Sequence, residues 1–175
     1  MLGTCEFFLG DTSGPACVAA SFGRSLVTAN FQIGYAPWQL SDLYTPKLYR
    51  DSSTGKLISF KASLTPPLFR SCNNTTLAHV GIEVVDNTAH EIADLTAEML
   101  ERLDGTLVYS ANDDLLQSRI NGLFPSGTAI PNSRIGKTFL QTYQGLLDER
   151  LYRAIWRRWC DGTVRASGAG GTLHL

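Results

Sequence analysis

The stretch "FFLGDTSGPACVAASFGRSLVTAN", residues 7 to 30, constrains the fold more than any other part of the chain. The apolar run from Cys5 to Leu9 carries two aromatics and stops at Gly10, which suits a short buried strand and not a helix. A polar knot, Asp11-Thr12-Ser13-Gly14, comes next. Pro15 then stands where the first turn of a helix tolerates a residue without an N–H. Ser13 or Gly14 is the predicted cap, Ala16 to Phe22 the predicted helix, and Gly23 its stop. "SLVTAN" reads as a second strand ending at Asn30. Strands separated by a helix pair in parallel, because a parallel neighbour needs a crossover. The chain is therefore predicted to be α/β, with a Rossmann-like partial parallel sheet, flanking helices and a helical C-terminus.

The remaining segments fit that frame unevenly. Between Phe31 and Thr76, prolines, aromatics and polar residues alternate without a clear period, and "YTPKLYRDSSTGKLISF" reads as a hairpin or irregular excursion turning at Asp51 to Gly55. Gly81 to Val85 is a third predicted strand. The helix after it has concordant signals: Thr88 and Glu91 form a capping box, Ile92, Leu95, Met99 and Leu103 make one apolar face, and Gly105 ends it. A helix is expected over Asp113 to Leu123, then a loop through "LFPSGTAIPNS". A further helix capped by Ser133 and apolar at Phe139, Leu140, Tyr143, Leu146 and Leu147 resumes through Leu151, Ile155 and Trp159. One domain over residues 1 to 160 and a frayed, glycine-rich tail over 161 to 175 are expected.

A formal net charge of −1 lacks the basic surplus that phosphate backbones demand, so nucleic acid is not the expected partner. The chain contains no run of roughly 20 apolar residues and begins without a basic-then-apolar leader pattern, from which a cytoplasmic protein is expected. Cys5, Cys17, Cys72 and Cys160 form no Cys-x-x-Cys pair and read as mostly buried thiols. No Asp-x-Asp pair suggests a metal, and Asp113-Asp114 reads as a helix start. "RLYRAIWRRWCDGTVR" mixes Trp with Arg; it suits a helix packed against its own protein, with peripheral contact at the inner membrane face as the minor alternative.

Ligands of open parallel sheets sit beyond the carboxyl ends of the strands, at loops that lead into helix N-termini. Gly10, Thr12, Ser13 and Gly14 occupy such a loop and could cradle a phosphate, since free N–H groups and the positive end of a helix favour anions. Asn30 and the Asp86-Asn87-Thr88 segment are expected at the same edge. "GDTSGP" also looks superficially like a serine-protease loop, but a nucleophilic Ser13 would need a histidine, and His79, His90 and His174 lie in no motif. Nor is there a Gly-x-Ser-x-Gly elbow. A capping role without any ligand accounts for Ser13, Gly14 and Pro15 equally well.

Four segments, "FFLGDTSGPACVAASFGRSLVTAN", "SDLYTPKLYRDSSTGKLISF", "GIEVVDNTAHEIADLTAEMLERLDG" and "SRIGKTFLQTYQGLLD", together resemble the C-terminal, donor-binding half of a family of bacterial glycosyltransferases with a GT-B-like fold. The likeness spans most of residues 5 to 148. More remotely, Ser13-Gly14-Pro15 is similar to the donor-site turn of ADP-heptose-type glycosyltransferases, whose Asp-Thr-Gly-Pro segment opens a helix. Here the acid, Asp11, comes one residue early and no histidine follows Pro15, so a heptose substrate is not implied. The resemblance implies transfer of a sugar from a nucleotide-sugar donor to a glycan or lipid-linked acceptor, as in surface-polysaccharide synthesis. Gly10, Asp11, Thr12, Ser13, Gly14 and Asn30 would bind the donor, with Lys47 and Arg50 reaching its diphosphate. It implies no metal and no cofactor beyond the nucleotide-sugar co-substrate, because helix dipoles and basic groups stabilise the leaving diphosphate. It further implies a fragment lacking the acceptor domain and catalytic base, with an unpaired strand edge near Cys5. The alternatives from other classes are a noncatalytic nucleotide-binding or interaction module and, third, a serine hydrolase.

Overall fold

The computed structural model describes residues 3–35, 39–66, 68–69, 74–79, 81–128 and 132–148. In chain order the elements are β1 (Phe7–Gly10), α1 (Gly14–Ser21), β2 (Ser25–Phe31), β3 (Leu43–Pro46), β4 (Leu48–Asp51), α2 (Phe60–Ser63), α3 (Asn74–His79), β5 (Ile82–Val85), α4 (Ala89–Leu103), α5 (Ala111–Asn121), β6 (Arg134–Ile135), α6 (Lys137–Thr142) and a 3-10 turn over Gln144–Leu147. Strands β1, β2, β3 and β6 lie in that order in one parallel sheet flanked by helices, a Rossmann-like α/β arrangement.

The opening βαβ unit forms as its sequence dictates, with Phe7 beside Ser25 and Gly10 beside Thr28. Strand β1 is the sheet's outer strand, and Leu9 is exposed there. Strand β2 is buried without interruption from Leu26 to Ala29, as in a parallel strand covered on both faces. Alternation divides the core accordingly. Phe8 and Leu26 face α1 with Ala16 and Ala19, whereas Phe7, Val27 and Leu43 face α4 with Leu95 and Met99. A larger cluster joins Phe31, Tyr44, Leu116, Ile120, Ile135 and Phe139 among others, and so ties the sheet to α5 and α6.

The structure corrects the sequence reading at several points. The strand expected over Gly81 to Val85 exists as β5, but it pairs antiparallel with β4 in a separate ribbon and not in the parallel sheet. The third parallel strand is β3, hidden in the irregular stretch; its Pro46 needs no N–H because it closes the strand opposite Phe31. The excursion does turn at Asp51, whose carboxylate accepts from the Ser53 and Thr54 amides, and Leu57 returns to bridge Arg50. Ser133 caps nothing adjacent: a short strand, β6, intervenes, and α6 starts after Gly136. Helix α5 begins earlier than expected, through a second capping box between Ser110 and Asp113. Cys17 is exposed and Cys5 half-buried, against the expectation of buried thiols.

The α4 capping box is present as read, and Gly105 ends that helix at φ +70, a left-handed conformation that glycine adopts without strain. Leu95 and Met99 are buried under it, while Leu103 is 45% exposed, so the apolar face is narrower than its sequence suggests. No helix among the described residues is long and apolar enough to cross a membrane. The predicted helix through Leu151 to Trp159, the Trp/Arg segment and the tail lie outside the described residues, as do Cys72, Cys160 and His174.

Leu43 is fully buried between β2 and α4. Leu43→Ala is expected to destabilise the fold by about 2–5 kcal/mol, read as a lower denaturant midpoint with an unchanged slope.

Candidate functional site

At the carboxyl edge of the parallel sheet, the end of β2 is locked to the segment that joins β5 to α4. Asn30 sits at φ +55 and is the one non-glycine residue at positive φ among the described residues. Its N–H donates to Asn87 Oδ1 at 2.6 Å, and the Asn87 N–H donates back to Asn30 Oδ1 at 2.6 Å. Asn87 also receives the Thr45 hydroxyl at 3.0 Å and donates its side-chain amide to the Pro46 carbonyl at 3.1 Å. The Asn87 amide thereby satisfies the ends of β2 and β3 and fixes where α4 starts. Asn30 and Asn87 do meet at the sheet edge, as expected, but their polar groups are spent on each other.

The knot after β1 is freer. Asp11 and Thr12 are exposed, Ser13 is half-buried, and Ser13 takes the extended N-cap conformation without a side-chain capping bond. The expected capping role of its hydroxyl is therefore absent, and among the described residues no histidine bonds to it: His79 ends α3 and is exposed, and His90 pairs with Asp94 at 3.7 Å. The Ser13 amide turns back to the Asp11 carbonyl, and the Ala16 amide to the Ser13 carbonyl. Pro15 has none, so the Gly14 N–H is the first-turn amide that meets no acceptor among the described residues. A side chain at Gly14 would meet nothing within 4 Å, whereas one at Gly10 would strike the Phe8 ring at 2.7 Å. Open space thus lies over Gly14, and Gly10 serves packing.

Lys47 and Arg50 are engaged elsewhere. The Lys47 ammonium lies 3.0 Å from Asp86 at the carboxyl edge, and Arg50 lies 3.1 Å from Glu83 across the β4–β5 ribbon. Both pairs are partly exposed and cost little to open.

The chain matches no family model, no curated protein and no solved structure. Its chemistry rests on the geometry alone.

Sequence reasoning missed a second feature of this edge. Between α4 and α6, beside Thr45 at the end of β3, lies a cavity of about 240 Å³. Glu91, Asp94 and Glu98 project to it from one face of α4, with Tyr143 opposite. Glu98 is buried, and its carboxylate accepts the Tyr109 hydroxyl at 2.8 Å and the Lys137 amide at 2.7 Å, so it caps α6 from another helix. Burial raises its pKa above the ordinary glutamate value, opposed by those bonds and by Lys137 and Arg102. Burial, and then neighbouring Glu91, push the Tyr143 phenol up to about 12, so it stays a donor near neutrality. A side chain at Gly136 would strike Leu95 at 2.8 Å, which lets the α6 turn come close to α4. The i, i+3, i+7 spacing of the carboxylates was legible; that the face borders a cavity was not. Among the described residues no His, Cys, Asp and Glu side chains cluster so as to hold a metal ion.

Asn87→Ala is expected to cost about 1–3 kcal/mol in a urea titration by stranding the Asn30 amide, and Asn30→Gly to cost less, since glycine accepts the positive φ. Because the Glu98 pKa is raised, the folded chain holds a proton that the unfolded chain has lost, and stability falls as pH rises from the ordinary glutamate value through the folded one. Urea midpoints measured across that window should decline in the parent, and the decline should shrink in Glu98→Gln.

Proposed function

We propose that this chain is the donor-binding half of a glycosyltransferase, holding the diphosphate of a nucleotide-sugar over the Asp11–Gly14 loop. The observation that carries this reading is the unspent chemistry of that loop: the Ser13 hydroxyl makes no capping bond, the Gly14 amide meets no acceptor among the described residues, and space is open over Gly14 at the N-terminus of α1. The helix end supplies positive potential where a phosphate would sit. Lys47, at the same edge two strands away and held by a solvent-exposed aspartate, can turn toward a ligand at small cost. Asp11 would oppose an anion, so its place in the site is to order the turn through its carbonyl.

The order of four segments that resemble a GT-B donor domain supports the same reading, and it makes the sheet the framework of such a half. The acceptor, a glycan or lipid-linked hydroxyl, would be presented by a partner domain, and the catalytic base would belong to that domain. A noncatalytic nucleotide-binding module has the same loop and differs in lacking transfer. A hydrolase has little support, because Ser13 has no histidine partner among the described residues.

The test is calorimetric titration with uridine, guanosine and adenosine diphosphates. Saturable binding by at least one is expected. Gly14→Val, which fits the fold without a clash, should weaken it about tenfold, and Lys47→Ala by a similar factor, on the scale of one hydrogen bond to a charged group. Absence of binding by all three, or unchanged affinity in Gly14→Val, would overturn the proposal.

A further inference from the structure

We infer that the cavity between α4 and α6 is a second binding site at this edge, built for one small uncharged polyol of about the size of a single sugar ring. It opens on the α4 face of the sheet, whereas the Asp11–Gly14 loop leads to α1 on the other. At 240 Å³ it has the volume of about eight liquid waters, enough for one small ring.

The lining selects the chemistry. No lysine or arginine borders the cavity, and its one basic side chain, His90, lies 3.7 Å from Asp94, so three carboxylates outweigh it and an anion is disfavoured there. Hydrogen-bond acceptors dominate, and several are already committed in ways that hold them still. Glu91 Oε2 accepts the Thr88 amide and hydroxyl at 2.6 and 2.8 Å, which leaves its buried Oε1 without a hydrogen-bond partner. Both Glu98 oxygens are engaged, and Asp94 has only the loose contact to His90. Engagement of this kind holds the Glu91 and Glu98 carboxylates still and leaves Asp94 as the oxygen free to accept from hydroxyl groups. Tyr143, whose hydroxyl interacts with Glu91, closes the opposite side, and Leu95 with Phe139 gives an apolar wall against which the C–H face of a ring can rest. Rings rich in hydroxyls present that combination of many donors and one apolar face.

This inference does not need the diphosphate site. The two sources of such a ring, a free or terminal monosaccharide and the glycosyl part of a nucleotide-sugar, share the chemistry and separate in the test. Amide and methyl NMR shifts of the full chain are followed during titration with glucose, galactose, N-acetylglucosamine and myo-inositol, with propylammonium and inorganic phosphate as charged probes. Saturable millimolar shifts at Leu95, Thr138 and Tyr143 are expected with at least one polyol, and none there with phosphate. Asp94→Asn should weaken them severalfold. Thr142→Trp, at an exposed position on the cavity rim, should abolish them while the folded spectrum persists.

Uridine diphosphate added at saturation should leave the polyol shifts in place; UDP-glucose that moves cavity and loop resonances together marks the donor as the source, and a free sugar alone that does so marks the other. Failure of every polyol, stronger binding of propylammonium, or identical shifts in Thr142→Trp would overturn the inference. Failure of the nucleoside diphosphates leaves it standing and removes only the donor reading.

Discussion

The carboxyl edge of this protein is organised by one reciprocal pair of amides. Asn30 and Asn87 exchange main-chain and side-chain hydrogen bonds at 2.6 Å, and through Thr45 and Pro46 the pair also closes the end of β3. Three segments that are distant in sequence thereby acquire fixed ends. The cost is a left-handed residue at Asn30, which asparagine bears better than other non-glycine residues. Because buried or half-buried main-chain groups must find partners, the arrangement has few alternatives. It also sets the entry point of α4, the longest helix described.

Helix α4 carries that order to the far side of the sheet. Its capping box fixes Glu91, its buried face rests on Val27 and Leu43, and Glu98 reaches across to supply the cap that α6 lacks in its own sequence. Tyr109 braces the other oxygen of Glu98, with the Arg134 guanidinium 3.9 Å over its ring and Arg102 donating to its hydroxyl at 3.1 Å. A buried carboxylate satisfied on both oxygens is costly to break and directional, so it places the α6 turn where Gly136 permits the closest approach. The cavity lies between the two helices so joined.

The two candidate ligand surfaces differ in how the fold treats them. At the Asp11–Gly14 loop the main chain of Asp11 and Ser13 is hydrogen-bonded, while the Ser13 hydroxyl makes no capping bond and space is open over Gly14. In the cavity, most functional groups are used structurally and only a few remain to receive a ligand. The first is the surface proposed for a diphosphate, and the second the one proposed for a neutral ring. Both lie at the carboxyl edge of a parallel sheet, where loops and helix ends gather.

Local features were legible from the residues alone. Strand β1, helix α1, strand β2, the Thr88–Glu91 cap, Leu95 and Met99 as core, and Gly105 as a helix stop each follow from periodicity, capping chemistry or backbone freedom within a few residues. The loop's residues were legible too, and so was the meeting of Asn30 with the Asp86–Thr88 segment. What only the tertiary structure decided were the pairings. Strand β3 is four residues among prolines and β6 is two, too short for any period to show; each exists because a neighbouring strand offers it a ladder. The assignment of β5 to an antiparallel ribbon, the capture of Lys47 and Arg50 by Asp86 and Glu83, and the capping of α6 by Glu98 arise from contacts across tens of residues. Local sequence fixes conformations because their partners lie within one turn; which loops share an edge, and which of their groups stay free, depends on long-range hydrogen bonds that no local pattern encodes.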